Sequence, residues 1–137
     1  MLNLAVLVLA TVFIGALAQF PSDCDRTYSV QAGDTCNSIS ENHDVSSFQL
    51  AFVNTVINAD CSNLFIGQLL CLGRNGQDCT IVHTVGDGES CVEIANNAGT
   101  PLNVLLENNQ NVNATCSNLI VGEVLCTEMT LIPYHSS

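Results

Sequence analysis

The chain has no lysine, and its two arginines stand against thirteen acidic residues, giving a formal net charge of −11. A surface of that sign repels phosphate backbones and anionic lipid, so neither nucleic acid nor a membrane surface is expected as a partner. Aromatic residues are scarce at 5%. There is no C-x-x-C pair, and the three histidines lie far apart in sequence, so the eight cysteines do not read as metal ligands. No metal and no cofactor are expected. What fills the surface instead is Asn, Ser, Thr and Gln, a neutral polar composition suited to uncharged, hydroxyl-bearing ligands.

The one long apolar run is MLNLAVLVLATVFIGALA at 1–18, ending in the small-x-small sequence Ala16-Leu17-Ala18. It reads as a signal peptide removed on export. Its n-region carries no basic side chain, which leaves an uncleaved membrane anchor as the rival reading; bare spanning length and the lack of a basic flank favour removal. Eight cysteines behind an export signal imply four disulfides.

The cysteines also expose a duplication. Cys24, Cys36, Cys61 and Cys71 are spaced by 12, 25 and 10 positions, and Cys79, Cys91, Cys116 and Cys126 repeat those gaps. Over the 48 aligned positions 17 are identical, and CSNLFIGQLLC at 61–71 returns as CSNLIVGEVLC at 116–126. The expected organisation is a module at 24–72, a turn-rich linker at 73–78, a second module at 79–127 and a frayed tail at 128–137. Modules under 50 residues rarely hold a fold on one apolar core alone. Two disulfides per module supply the constraint, roughly 2–4 kcal/mol each.

Within a module, RTYSV at 26–30 and IVHTV at 81–85 alternate as short strands. Gly33 and Gly88 mark a tight turn, and Thr35 and Ser90 are helix N-caps, with Ser90 and Glu93 forming a capping box. The first helix is expected to stop near Asp44 in one copy and at Gly99 in the other. A second helix starts at Ser46 or Ser47, and in the other copy at Thr100-Pro101 with proline in the first helical position. QLLCL and EVLCT close the modules as strands. The fold class is α+β: two tandem β-α-α-β modules. Three pairings of four cysteines are open in each; an antiparallel strand pair would bring Cys24 beside Cys71 and leave Cys36 for Cys61.

YSVQAGDTCNSIS resembles the opening of a LysM domain, and NTVINADCSNLFIGQLLC resembles its close. The cysteine spacing is similar to that of fungal secreted LysM effectors. The resemblance covers both modules and implies binding of β-1,4-linked N-acetylglucosamine chains, chiefly chitin oligomers, either hiding fragments from host receptors or shielding hyphal walls from chitinases. By position it implies a first groove at Gly33, Asp34, Thr35, Val56, Ile57, Asn58 and Leu64, and a second at Gly88, Glu89, Ser90, Asn111, Val112, Asn113 and Leu119. Loop main chain would bond the acetamide while Ile57 meets its methyl group; Thr35 as a plain cap and Leu64 as core are the competing readings.

His83 in place of Tyr28, and Glu89-Ser90 in place of Asp34-Thr35, weaken the expectation for the second groove. Asn113-Ala114-Thr115 is the only N-glycosylation sequon, and a glycan on Asn113 would obstruct that groove. Module one is therefore expected to carry most affinity, and long chitin chains are expected to bridge separate molecules rather than span both grooves of one.

No catalytic constellation is found. Asp34 and Glu89 are single acids in separate modules, expected to favour the positive end of the following helix; His43, His83 and His135 have no nucleophile partner. The chain is not expected to be an enzyme. A peptidoglycan-binding LysM protein and a non-binding disulfide-rich scaffold are the alternative functions.

Overall fold

The computed structural model describes residues 20–134, so the signal peptide expected at 1–18 and the tail residue His135 lie outside the described residues. The first module runs β1 (Cys24–Ser29), α1 (Cys36–Asn42), α2 (Ser47–Val53) and β2 (Leu69–Arg74). The second repeats it with β3 (Val82–Thr84), α3 (Cys91–Ala98), α4 (Leu102–Asn108) and β4 (Val124–Cys126). β1 pairs antiparallel with β2, and β3 with β4.

Local chemistry sets the helix ends. Thr35 Oγ1 accepts from Ser38 N while Ser38 Oγ accepts from Thr35 N, and Ser90 and Glu93 do the same in the second copy, so both first helices open on reciprocal caps. They close on left-handed residues, Asp44 at φ 50° and Gly99 at φ 70°. Ser46 caps α2 by accepting from Gln49 N. Proline departs from expectation: Pro101 occupies the N-cap and Leu102 opens α4, while the Thr100 hydroxyl is drawn away to donate to Thr127 O at 2.7 Å.

Each module has its own core. Val30, Ile39, Val45, Leu50, Leu70 and Leu72 form the first, and Val85, Ile94, Ala95, Leu105, Val112 and Leu125 the second. A buried asparagine ties the second helix to the last strand in both copies. Asn54 Nδ2 donates to Leu50 O and Cys71 O and its Oδ1 accepts from Cys71 N. Asn109 makes the same bonds to Leu105 and Cys126. Both polar ends of a buried amide are satisfied, so its burial carries little penalty. The disulfides join Cys24 to Cys71, Cys36 to Cys61, Cys79 to Cys126 and Cys91 to Cys116, the pairing that antiparallel strands favour.

The linker and the tail differ from the sequence reading. β2 continues through Arg74, past the boundary set at 72. Arg74 Nε pairs with Asp23 at 2.8 Å, and Asp78 receives both Arg26 Nε and Arg26 Nη2. The tail is not frayed as far as Tyr134. Asn108 donates to Thr130 O and accepts from Ile132 N, and Tyr134 packs edge-on against Phe48 and Phe52 with ring centroids 5.2 and 5.4 Å away. Aromatic contact of that kind outweighs the entropy of a short tail.

Gln49 joins the pieces. Fully buried, it donates to Leu72 O and Asp78 Oδ1 and accepts from Cys79 N and Tyr134 Oη. One side chain thus holds the end of β2, the linker, the start of the second module and the tail. Across the same seam Val124 N of β4 donates to Ser47 Oγ at 2.8 Å, and α1 lies against β3 and β4 and α2 against β4.

Candidate functional site

The turn after β1 is locked by one carboxylate. Asp34 accepts from Tyr28 Oη at 2.6 Å and from Gln31 N at 2.7 Å. The phenol hydrogen bond first, and the backbone one second, hold its carboxyl below the ordinary value. In the second module Glu89 accepts from Gly86 N at 2.6 Å and lies 2.8 Å from His83 Nε2; the Gly86 N–H, followed by the His83 ring, holds its carboxyl down. The shorter ring is met by the longer acid. The substitutions at 83 and 89 therefore compensate each other, and the second turn is built like the first, with Gly33 at φ 84° and Gly88 at φ 75°. Both acids stand immediately before the N-caps Thr35 and Ser90, as the sequence suggested, and their oxygens bond to the strand and the turn.

The loop before the last strand repeats its asparagine bonds, while Ser62 N is braced by Asp60 and its counterpart Ser117 N by Asn113 Oδ1. Asn58 N donates to Asn63 Oδ1 and Asn63 Nδ2 to Val56 O; Asn113 N donates to Asn118 Oδ1 and Asn118 Nδ2 to Asn111 O. Asn58 Nδ2 reaches Ser62 Oγ, and Asn113 Nδ2 reaches Ser117 Oγ.

Between turn and loop in the first module lies a cleft of ≈ 710 Å³. Thr35, Cys36 and Asn37 form one side and residues 57–61 the other, with Ser47, Phe48, Leu50 and Ala51 beneath. The second module supplies the remaining wall through Asn111, Asn118, Ile120 and Glu123. Of the residues expected in the first groove, Thr35, Ile57 and Asn58 meet here. Leu64 packs on the core, and Val56 lines a different cleft with Phe20 and Phe65. Gly33 and Asp34 shape the turn behind the cleft.

The second set divides differently. Asn111 faces the first module's cleft, Leu119 packs on the core, Ser90 caps α3, and Gly88 and Glu89 build the turn. Val112, expected as an apolar ligand contact, is only 6% exposed and belongs to the core. Its counterpart Ile57 is one methylene larger and half-buried, resting on the core with a side toward the cleft.

Residues the sequence reading missed include Asn37, Phe48, Ala51, Asp60, Asn118 and Glu123. Only Asn118 carried a signal, its identity with Asn63 inside the repeated phrase. Among the described residues no cluster of His, Cys, Asp and Glu is placed to hold a metal ion.

The LysM domain profile matches residues 28–73 and 83–127, one match per module and about two thirds of the chain. The chain belongs to the LysM domain family. Similar relatives include a secreted LysM effector of Trichophyton rubrum, 30% identical over 127 residues and covering 76% of this chain and 50% of that one. Two secreted LysM effectors of Pochonia chlamydosporia are 32% and 29% identical, each covering 79% of this chain but 16% and 33% of their own length. This LysM chain therefore spans half or less of the length of those relatives. Among solved structures, the spore cortex-lytic enzyme SleL of Bacillus megaterium is similar at 22% identity, covering 73% of this chain and 21% of that one with a TM-score of 0.39. The LysM chain is secreted, in keeping with its secreted relatives and with four disulfides. Among the described residues no helix is long and apolar enough to cross a membrane.

Proposed function

We propose that this LysM chain is a non-catalytic secreted effector that binds carbohydrate, specifically β-1,4-linked N-acetylglucosamine chains such as chitin oligomers. The observation that carries the reading is the cleft beside Thr35, Ile57 and Asn58, lined by the amides of Asn37, Asn58, Asn111 and Asn118 and by the apolar side chains of Phe48, Leu50, Ala51 and Ile57. An acetamido sugar offers a matching surface: an N–H and a C=O for loop main chain and asparagine, and a methyl group for Ile57 and Ala51. Net charge of −11 leaves a neutral polymer as the favoured partner over an anionic one. In an effector, such binding would withhold chitin fragments from host immune receptors or shield hyphal walls from chitinases.

Hydrolysis is a poor fit. Two carboxylates, Asp60 and Glu123, do line the cleft, but a glycosidase keeps one carboxyl protonated by raising its pKa. Asp60 is instead held below its ordinary value, first by the Ser62 hydroxyl and then by Ser62 N–H. Glu123 accepts from Ile120 N and Asn111 Nδ2. Both acids are used up as loop braces.

The test is retention on insoluble chitin, peptidoglycan and cellulose in parallel, followed by calorimetry with N-acetylglucosamine oligomers of increasing length. Selective retention on chitin is expected; stronger retention on peptidoglycan would redirect the reading, and retention on none would leave a scaffold. Ala51→Trp fills the exposed floor of the cleft without touching either core, and should weaken oligomer binding by about tenfold or more, the equivalent of ~1.4 kcal/mol. Long oligomers are further proposed to bridge separate molecules, which light scattering with a chitin octamer would detect.

A further inference from the structure

The two copies share the carboxylate lock of the turn and the paired asparagine bonds of the loop, yet differ at one surface position that changes covalent chemistry. Module one reads Asn58-Ala59-Asp60 and module two Asn113-Ala114-Thr115. Replacing the acid by threonine creates the chain's only N-x-[ST] sequon. Asn58 lines the first cleft, and Asn113 is its counterpart, exposed, with N and Nδ2 donating as those of Asn58 do while its Oδ1 also accepts from Ser117 N. The threonine hydroxyl lies 3.2 Å from Asn113 Oδ1.

We infer that Asn113 carries an N-linked glycan and that this glycan covers the turn-and-loop face of module two beside Gly88, Glu89 and Ser90, leaving the cleft of module one as the single open sugar site. The inference rests on the carbohydrate-binding reading above. In the linkage step the Asn113 side-chain nitrogen attacks C1 of an oligosaccharide carried on a lipid diphosphate. The N–C1 bond forms, the C1–O bond to diphosphate breaks, the lipid diphosphate leaves and one amide proton passes to base. The co-reactant is the lipid-linked donor met by exported chains.

The chemistry of the attached chain gives the site its meaning. An N-glycan begins with two β-1,4-linked N-acetylglucosamine units, the same disaccharide that a chitin oligomer repeats. Tethered to the loop that faces the second turn, that disaccharide is present at the high effective concentration of an intramolecular ligand. Module two would then be self-liganded rather than degenerate, which agrees with its intact turn: the His83–Glu89 pair and the Ser90–Glu93 box show no loss of architecture.

The experiment uses the full secreted chain from a yeast host beside Thr115→Asp. That variant removes the sequon while installing the residue that module one already carries, and Asp60 shows that an acid there can accept from the following serine. Mass spectrometry before and after peptide-N-glycosidase reads the modification, and calorimetry with an N-acetylglucosamine tetramer reads the stoichiometry. The expected result is a glycan on Asn113 of the natural chain with one tetramer bound, and two tetramers bound to Thr115→Asp. Asn113→Gln should behave like Thr115→Asp. A natural chain without added mass overturns the inference, as does a glycosylated chain with the same stoichiometry as both variants. Absence of binding in every form would overturn the proposed function, and this inference with it.

Discussion

At the scale of the residue, Gln49 and the turn acids show how much rests on single side chains. Gln49→Leu keeps the volume but strands Leu72 O and Cys79 N in a buried seam, where each unsatisfied group costs about 1–3 kcal/mol. Urea unfolding should show a loss of roughly 3 kcal/mol. Asp34 and Glu89 make a pH prediction. Their folded carboxyls lie below the ordinary 3.8 and 4.5, so their contribution is present above those values and disappears as pH falls through the lowered folded ones. Thermal unfolding followed from neutral into strongly acid solution should show Asp34→Asn converging on the parent at the acid end and falling below it at neutral pH. The two pairs Tyr28–Asp34 and His83–Glu89 were not legible in the sequence as pairs. Each substitution, taken alone, looked like decay of a motif; only the strand-to-turn contact reveals that one offsets the other.

At the scale of the element, what could be read was what is local. Strand alternation, Thr35, Ser46 and Ser90 as caps and the stops at Asp44 and Gly99 depend on neighbours within four or five positions, and they stand as expected. The covalent staples are those that antiparallel strands bring together, a pairing that the cysteine spacing alone left open among three in each module. Chain-entropy reasoning assigns about 4 kcal/mol to the crosslinks with a sequence separation of 47 and about 3.5 kcal/mol to those with a separation of 25. Replacing Cys36 and Cys61 together by serine should lower the unfolding free energy of the first module by about 3 kcal/mol, measured by denaturant titration, and should weaken oligomer binding because Cys36 and Cys61 both border the cleft. What the sequence concealed was the use made of α2. Phe48, Gln49 and Phe52 align with Asn103, Val104 and Glu107, and it is the mismatch between copies, not their likeness, that marks the seam. A comparison made only for identity passes over it.

At the scale of the molecule, the two modules are joined by side chains rather than by a slack tether. Arg26–Asp78, the Gln49 hub, Ser47 with Val124 N, and the Phe48–Phe52–Tyr134 cluster all cross from one part to another. Burial, before any charge effect, keeps the Tyr134 phenol well above its usual pKa, so its proton stays available to Gln49 Oε1 across the working pH range. Tyr134→Ala should cost about 2 kcal/mol, seen as a lowered thermal midpoint. The same variant should also weaken sugar binding, since Phe48 belongs both to the aromatic cluster and to the cleft. Unchanged binding with lowered stability would separate the two roles.

The docking of Tyr134 has a practical corollary for anyone handling this protein. An affinity handle fused behind Ser137 begins four positions from the ring that closes the seam, so a fusion there perturbs the very junction under measurement, and preparations meant for titration are better labelled just ahead of Phe20.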